Sequence, residues 1–436
     1  MPVLVRIAAH SGLVELVDAR MVGRASIMQD MQRQTTRPRR RKDRCGREFW
    51  SLVLAFGGLI SWYLPTAHAA FQEPGANAPS FDQLAARAHA AMDDERTAEA
   101  IRLYERATAL RPSWSEGWWF LGTLAFDSGQ IVKAHDAFLH FVSVEHEQAG
   151  PGFGMLGLTE FELKDYKKAL AALERGIQLG LGDNDAFTHQ VVYAAGVVNN
   201  LLDQPEIALV RLTLVANQEA AAHPENSEVT VLADTDLLDA FGLAALRIEK
   251  LPGEIPAKDA AMVRQAGHAQ VLIALQDRAT AGVELKQLVA QYPSEPGIHY
   301  MYGVHLLKED PLSAVEEFQR ELAISPHHAA ARIQLALEFL RTADYKQGLK
   351  YAQEAVMLAP GNFVAHVACG KLWLETGDTD HALSELRTAV KLSPGSPDAH
   401  FALSRALSEA GQSHEAAQER AEFERLKALT DAADRK

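Results

Sequence analysis

Prolines recur at a nearly constant spacing in the second half of the chain. Pro293, Pro326, Pro360 and Pro394 are separated by 33, 34 and 34 residues. A fixed period of about 20 to 50 residues is the signature of a repeat architecture, in which each unit buries its apolar face only by stacking on its neighbours. The chain is therefore expected to fold as a row of similar units rather than around one central core.

The clearest unit combines large and small residues in a fixed order. Trp118 lies near its start, Leu121 and Gly122 follow, and Ala134 and Phe138 come 16 and 20 residues after the tryptophan. Small residues at these places let two amphipathic helices approach closely, while the large residues fill the space between successive hairpins. Glycine suits the turn inside a hairpin, and proline ends the second helix. The unit is predicted to be a helix hairpin.

This order of residues resembles the tetratricopeptide repeat, whose period is about 34 residues. The same frame returns in other units, for example with Ala100 and Tyr104, and again with Gly370 and Ala382. The resemblance implies an all-α fold, a right-handed α-solenoid of antiparallel helix hairpins that forms a tetratricopeptide superhelix. The predicted units lie at 81–114, around Trp118, and at 150–183, 189–222, 262–295, 296–328, 329–362, 363–396 and 397–430.

The units group into two predicted blocks. Residues 81–222 hold about four repeats, and residues 262–430 hold about five, including a charged capping helix that precedes the tail at 431–436. Residues 223–261 depart from the frame. This divergent helical segment or linker is either a degenerate repeat or a boundary between the blocks, and the sequence leaves both interpretations open.

The N-terminal region has the order of an export signal. The basic stretch Arg37–Lys42 precedes an apolar run from Phe49 to Leu64, and the small-residue pattern that ends at Ala69 follows. Signal peptides show this order, so cleavage is predicted after Ala69. The repeats are then expected in the periplasm or outside the cell. The alternative is an uncleaved anchor at 49–64, which would hold the repeats outside the cytoplasm on the inner membrane.

Residues 1–69 are longer than a usual signal peptide. Met28 or Met31 would give a more usual start than Met1, and the sequence does not decide among them. After the predicted cleavage site, residues 70–80 contain two prolines and a glycine and are expected to form a flexible leader.

Charge and cysteine content exclude some functions. The formal net charge is −14, and residues 70–436 alone carry 32 Lys and Arg against 52 Asp and Glu, a net charge of −20. Such an acidic region is a poor nucleic-acid binder, because phosphate contacts need clustered basic residues. Cys369 is the only cysteine after Ala69, so an intrachain disulfide is not expected.

No motif in the chain predicts catalysis or a cofactor. The literal G-x-G-x-x-G at Gly152–Gly157 follows a helical segment, whereas a dinucleotide site needs a preceding strand. His135, His140 and His146 lack the spacing that places two imidazoles on one helix face, so no metal is expected. Asp234 and Asp236 are explained by helix capping. The protein is predicted not to be an enzyme, and a hydrolase using 223–261 is the third hypothesis.

Ligand binding is expected on the first helices of the hairpins. The resemblance implies a concave surface to which the fifth, ninth and twelfth residues of each unit point. The candidate ligand-binding residues are Trp119, Phe126, Tyr193, Asn200, Tyr300, Lys371, Phe401 and Arg405. Lys371 and Arg405 are expected to meet an acidic group of a ligand. The alternative is that the aromatic side chains pack between helices or against the 70–80 leader.

The predicted function is therefore a non-enzymatic scaffold that binds a protein or peptide partner of unknown identity, in the cell envelope or outside the cell. Nucleic acid is not an expected partner, and membrane contact is expected only through the signal peptide or the uncleaved anchor. The competing hypothesis is a structural or assembly subunit of an envelope machine for secretion, polysaccharide export or outer-membrane assembly.

Overall fold

The computed structural model describes residues 79–146 and 149–433, and the regular secondary structure of this part of the chain is all helical, without strands. It forms two compact units whose boundary lies between Ala195 and Gly196. The helices of the first unit pair as antiparallel hairpins, and the last helix runs across the boundary. They are α1 (Phe81–Asp93), α2 (Thr97–Leu110), α3 (Ser115–Asp127), α4 (Ile131–Glu145), α5 (Gly150–Glu162), α6 (Tyr166–Leu179) and α7 (Asp185–Leu201).

The second unit continues with thirteen α-helices and one short 3-10 turn at Pro252–Glu254. The helices are α8 (Pro205–Ala222), α9 (Ser227–Ala233), α10 (Thr235–Ala245), α11 (Ala260–Ala274), α12 (Arg278–Gln291), α13 (Ile298–Leu306), α14 (Pro311–Ile324), α15 (Ala329–Arg341), α16 (Tyr345–Leu358), α17 (Phe363–Glu375), α18 (Thr379–Leu392), α19 (Pro397–Glu409) and α20 (Ser413–Ala433). The prediction of an all-α fold built from helix hairpins is confirmed.

Aspartate begins the second helix of several hairpins. Asp277, Asp310, Asp344 and Asp378 each accept a hydrogen bond from the backbone N–H three residues later. This N-cap satisfies a donor that has no partner within the helix and is worth about 1 kcal/mol. Asp165 caps α6 in the same way. The start of the second helix is thus encoded locally in each of these hairpins.

Small residues lie where paired helices touch, as the repeat pattern predicts. Ala100, Ala134, Ala281 and Ala382 are completely buried. Gly370 of α17 lies so close to α18 that an added Cβ would be 2.5 Å from Leu386 Cγ. Because larger side chains at these places would separate the helices, the spacing of small residues sets the distance between the two helices of each hairpin.

The turn inside most hairpins has a left-handed backbone, and only some of these hairpins use glycine there. Gly129, Gly377 and Gly411 have φ values of 74°, 86° and 75°. At the corresponding turns Lys164 and Ala343 have φ values of 61° and 60°. Other residues with side chains also have positive φ values at such turns. The expectation of glycine at this turn was therefore only partly right, because packing of the hairpin imposes the conformation whatever the residue.

The divergent segment 223–261 is helical and packs within the second unit. It contains α9 and α10, and α10 pairs closely with α11. A Cβ added to Gly242 would lie 1.9 Å from the Val263 carbonyl oxygen, and one added to Gly267 would lie 1.8 Å from that of Leu238. The two helix backbones are therefore in direct contact, which only glycine permits.

Several predictions concern residues outside the described part. The export signal, the cleavage after Ala69, the anchor at 49–64, the alternative start codons and residues 70–78 of the leader all lie there, as does the end of the tail. Within residues 79–146 and 149–433, no helix is both long and apolar enough to cross a membrane.

Candidate functional site

A side-chain donor at the fourth position of the unit joins successive repeats. His366 Nε2 lies 3.0 Å from the Pro360 carbonyl oxygen, and His400 Nε2 lies 2.9 Å from that of Pro394. His299 makes the same contact with Pro293 at 3.1 Å. A carbonyl oxygen can only accept, so Nε2 is the donor in each pair. The proline that closes one unit is thus held by the first helix of the next.

The other ring nitrogen of each histidine contacts a glutamate on the second helix of its hairpin. Nδ1 lies 2.6 Å from Glu385 Oε2 for His366 and 2.5 Å from Glu419 Oε2 for His400. These two glutamates follow their histidines by 19 residues. His299 Nδ1 lies 2.5 Å from Glu317 Oε2, 18 residues later, and all three histidines are buried. Each histidine therefore links three segments: the preceding proline turn, its own helix and the paired helix.

Two other units place different donors at the fourth position. Trp118 Nε1 donates to the Pro112 carbonyl oxygen at 2.8 Å. Arg332 Nε donates to Glu354 Oε2 at 2.7 Å. We call Trp118, His299, Arg332, His366 and His400 the position-four donors. Sequence reasoning missed them because tryptophan, arginine and histidine share only an N–H group. The available signal was an N–H donor six residues after each proline.

Half of the predicted ligand-binding residues are buried, which corrects the expectation that they line an open groove. Trp119 and Phe126 are each 6% exposed, as is Tyr193, and Asn200 is 4% exposed. Trp119 packs against Phe138 and Phe141, with ring centroids 5.9 and 5.3 Å apart. The large residues of the repeat fill the space between helices, so the alternative interpretation of interior packing applies to them.

Asn200 has a structural partner. Its amide nitrogen donates to the Ile248 carbonyl oxygen at 2.8 Å and so fixes the end of the segment that follows α10. This buried hydrogen bond leaves the side chain no exposed surface for a ligand.

Tyr300 is largely enclosed between helices. Its ring lies 4.6 Å from the His328 ring and 5.9 Å from the Arg247 guanidinium. Burial raises the pKa of the Tyr300 hydroxyl and lowers the pKa of His328. The completely buried Glu321 accepts from the backbone N–H groups of Gly297 at 2.9 Å and Tyr300 at 3.3 Å, which caps α13. The contacts that Glu321 makes with Gly297 and Tyr300 therefore fix the start of α13.

Lys371, Phe401 and Arg405 lie on neighbouring first helices and are accessible to different degrees. Lys371 of α17 pairs with Asp398 of α19 at 2.6 Å, and Arg405 of α19 pairs with Glu375 of α17 at 3.1 Å. The half-buried Phe401 packs on Phe423 at 5.2 Å. Both cations thus already have carboxylate partners on the adjacent first helix. Their predicted contact with an acidic ligand stays a prediction and would require exchange of these partners.

Accessible side chains of the predicted binding surface lie on the first helices α13, α15, α17 and α19. α15 contacts α17, and α17 contacts α19. Val304 of α13 is 40% exposed, and Leu337 and Leu340 of α15 are half-buried. We call this set, with Lys371, Phe401 and Arg405, the first-helix surface. It offers apolar contact at one end and paired charges at the other.

The described residues offer no arrangement that predicts catalysis. Burial raises the pKa of the Cys369 thiol to about 12, so the thiol stays protonated and unreactive. Gly154 and Gly157 lie inside α5, where their backbone N–H groups are used by the helix and are not free for phosphate. In residues 79–146 and 149–433, no group of three or more His, Cys, Asp or Glu side chains is placed to hold a metal ion.

Comparison with known proteins adds sequence and structural similarity. A family profile described as tetratricopeptide repeat matches residues 85–143, 333–397 and 368–428. The heat-shock protein cognate co-chaperone sgt12 of Aspergillus fumigatus is 34% identical over 119 residues, 26% of this chain. The chain spans about a third, 34%, of that relative.

Solved structures of MamA are similar over part of the chain. MamA from Desulfovibrio magneticus RS-1 is 20% identical, with 39% of this chain and 97% of that chain covered and a TM-score of 0.36. Another MamA structure is 16% identical, with coverages of 38% and 96% and a TM-score of 0.34.

Proposed function

Because this chain is a tetratricopeptide-repeat protein, we propose that it is a non-enzymatic scaffold that binds a partner protein or peptide. The observation that carries the proposal is the first-helix surface of the second unit, where neighbouring helices present accessible apolar and charged side chains. A surface already ordered by helix packing lowers the entropy that an incoming segment must lose on binding. The similarity to a co-chaperone supports protein binding in general and names no partner.

We further propose that the scaffold works outside the cytoplasm. The support is the order of basic, apolar and small residues between Arg37 and Ala69. N-terminal sequencing of the protein recovered from its native host tests this point. A mature chain that begins at Ala70 is expected, whereas recovery of residues 1–69 on a cytoplasmic protein would contradict it.

A second candidate function is assembly into a larger envelope machine. One face of α8 favours it, because Ile207, Val210 and Leu214 recur at helical spacing and are 46%, 63% and 52% exposed. An exposed apolar stripe of this kind marks an interaction surface more often than a solvated one. Loss of solubility when the chain is produced alone, relieved by Val210→Ser, would favour this function over the free scaffold.

Capture of partners by the full chain tests the scaffold function. The bait carries a C-terminal tag and is compared with a variant in which Val304 and Phe401 are both replaced by alanine. We expect the variant to lose at least about tenfold in partner recovery, since each change removes apolar contact at the first-helix surface. The control is Val283→Ala, which changes a 58% exposed side chain on the second helix α12. Equal recovery by all three proteins would contradict the proposal.

A further inference from the structure

A cavity opens between the second helices of the first two hairpins. Its volume is about 730 Å³, and its walls come from α2 and α4. Trp118 and Leu121 of α3 form its floor with Ala137 of α4. This cavity lies within the first unit and shares no residue with the first-helix surface.

The repeat of Trp118 has an alanine where the repeats of His366 and His400 have a glutamate beside the position-four donor. In the units of His366 and His400, a glutamate 19 residues later fills the space beside the position-four donor. The residue 19 positions after Trp118 is Ala137. A methyl group replaces a carboxyethyl side chain there, and Ala137 itself is buried at the base of the cavity.

Two stacked rings line this space. The Trp118 and His140 ring centroids are 4.3 Å apart with an interplanar angle of 19°, and both residues line the cavity. The indole N–H is already used by Pro112, so the ring offers apolar contact rather than a hydrogen bond. Val132 at the rim is 65% exposed. The floor and rim therefore suit an apolar side chain about the size of leucine.

The charges around the cavity are mainly acidic. Glu105 and Asp136 line it together with one cation, Lys133, whose Nζ lies 2.6 Å from Glu105. Asp136 is 69% exposed and makes only a long 3.5 Å contact with His135. Residues 79–195 carry 17 acidic and 10 basic residues, a net charge of −7. A basic group next to the inserted side chain would meet the Asp136 carboxylate.

From these observations we propose that the cavity is a second binding site, which takes an apolar side chain flanked by basic residues from a partner protein. This proposal rests on the scaffold function and adds the place and the chemistry of one contact. The inserted side chain packs on Trp118 and Val132, and the neighbouring basic residue pairs with Asp136. Acidic segments are rejected by the same carboxylates.

Fluorine NMR of the full chain labelled with 5-fluorotryptophan tests the site directly. The Trp118 resonance is assigned with Trp118→Phe, and acetyl-Arg-Leu-Arg-amide is the probe. We expect a saturable shift of the Trp118 resonance at millimolar or lower concentration. Acetyl-Arg-Gly-Arg-amide should bind about tenfold or more weakly, because it lacks the buried leucine. Acetyl-Glu-Leu-Glu-amide should give no saturable shift.

Two variants locate the contact, and each has a matched control elsewhere in the first compact unit. Ala137→Met fills the cavity, and Ala171→Met makes the same change at an exposed position of α6. Asp136→Lys reverses the rim charge, and Asp183→Lys does so in the loop after α6. We expect the first member of each pair to abolish the shift and the second to retain it. Because Asp136 is exposed, its variant stays folded and reports even where Ala137→Met fails to fold.

Failure of this site and failure of the scaffold function give different results. Absence of a saturable Trp118 shift with the arginine probe, or an undiminished shift in Asp136→Lys, overturns the proposed site. Equal partner capture by the wild type and Asp136→Lys also overturns it and leaves the scaffold function intact. If the wild-type chain captures no partner although the probe binds as expected, the scaffold function fails while the site stands.

Discussion

Gly370→Ala tests the close contact of paired helices that defines the repeat. The added Cβ would lie 2.5 Å from Leu386 Cγ and 3.2 Å from the Ala382 carbonyl oxygen. Carbon atoms pack at about 3.5 to 4.0 Å, so Leu386 or the whole of α18 must move by about 1 Å. Overpacking of this kind costs about 1 to 3 kcal/mol, and the better helix propensity of alanine offsets about 1 kcal/mol. Because the clash involves Leu386 Cγ rather than only the end of a flexible side chain, the overpacking cost lies in the upper part of that range, about 2 to 3 kcal/mol, and the expected net loss of local stability is about 1 to 2 kcal/mol.

Gly196→Ala is the matched control. Gly196 is the eighth residue of its unit, as Gly370 is of the unit at 363–396, but an added Cβ would lie 3.3 Å from the nearest atoms of Leu212. A displacement of a few tenths of an ångström accommodates it. The gain in helix propensity then dominates, and we expect no loss of stability at this position.

Native-state hydrogen exchange of the full chain, read by mass spectrometry, measures both effects. Backbone amides in α17 and α18 should exchange about fivefold or more faster in Gly370→Ala, since exchange reports the free energy of local opening. Those in α7 and α8 should be no less protected in Gly196→Ala. Unchanged exchange at residues 363–392, or an equal loss of protection in both variants, would refute the reasoning about close helix contact.

Three further predictions follow from local geometry. A left-handed backbone costs a residue with a side chain about 1 kcal/mol. Ala343→Gly removes this cost and should raise the urea midpoint, whereas Gly377→Ala introduces it and should lower the midpoint by a similar amount. His366→Ala should lower the free energy of unfolding by about 2 to 3 kcal/mol, because a buried carbonyl and a carboxyl group lose their partner. The control His381→Ala, at an exposed position, should change it by less than about 0.5 kcal/mol. Cys369, with its raised pKa of about 12, should resist thiol reagents until the chain unfolds. Because the unfolded chain releases the thiol proton first, stability should also fall as pH rises above the ordinary thiol pKa, and less steeply in Cys369→Ala. A pH slope identical in the two proteins would contradict this assignment.

The recurring small residues were enough to predict the hairpins. Ala134 and Gly370 recur in phase because a fixed helix separation tolerates few residue types, so the constraint is visible in one sequence. The hairpin turns were less visible. Lys164 and Ala343 adopt a left-handed backbone without being glycine, since packing of the two helices determines the conformation there.

The site was predicted less well than the fold, because exposure depends on neighbouring repeats. Trp119 and Phe126 were placed in the groove by counting positions, but their large side chains fill the space between helices. Lys371 and Arg405 lie on neighbouring first helices, and their acidic partners lie 27 and 30 residues away in sequence. The cavity beside Trp118 is lined by residues of α2, α3 and α4, which only the packing of two hairpins brings together.

Site-specific photocrosslinking tests most directly whether the first-helix surface binds the partner. A photoreactive phenylalanine analogue replaces Val304 on α13 in one protein and Val283 on α12 in another, and each full chain is irradiated in extract of its native host. We predict a covalent partner adduct at Val304 that is absent at Val283. Adducts of equal yield at both positions, or an adduct only at Val283, would contradict a scaffold that binds through its first helices.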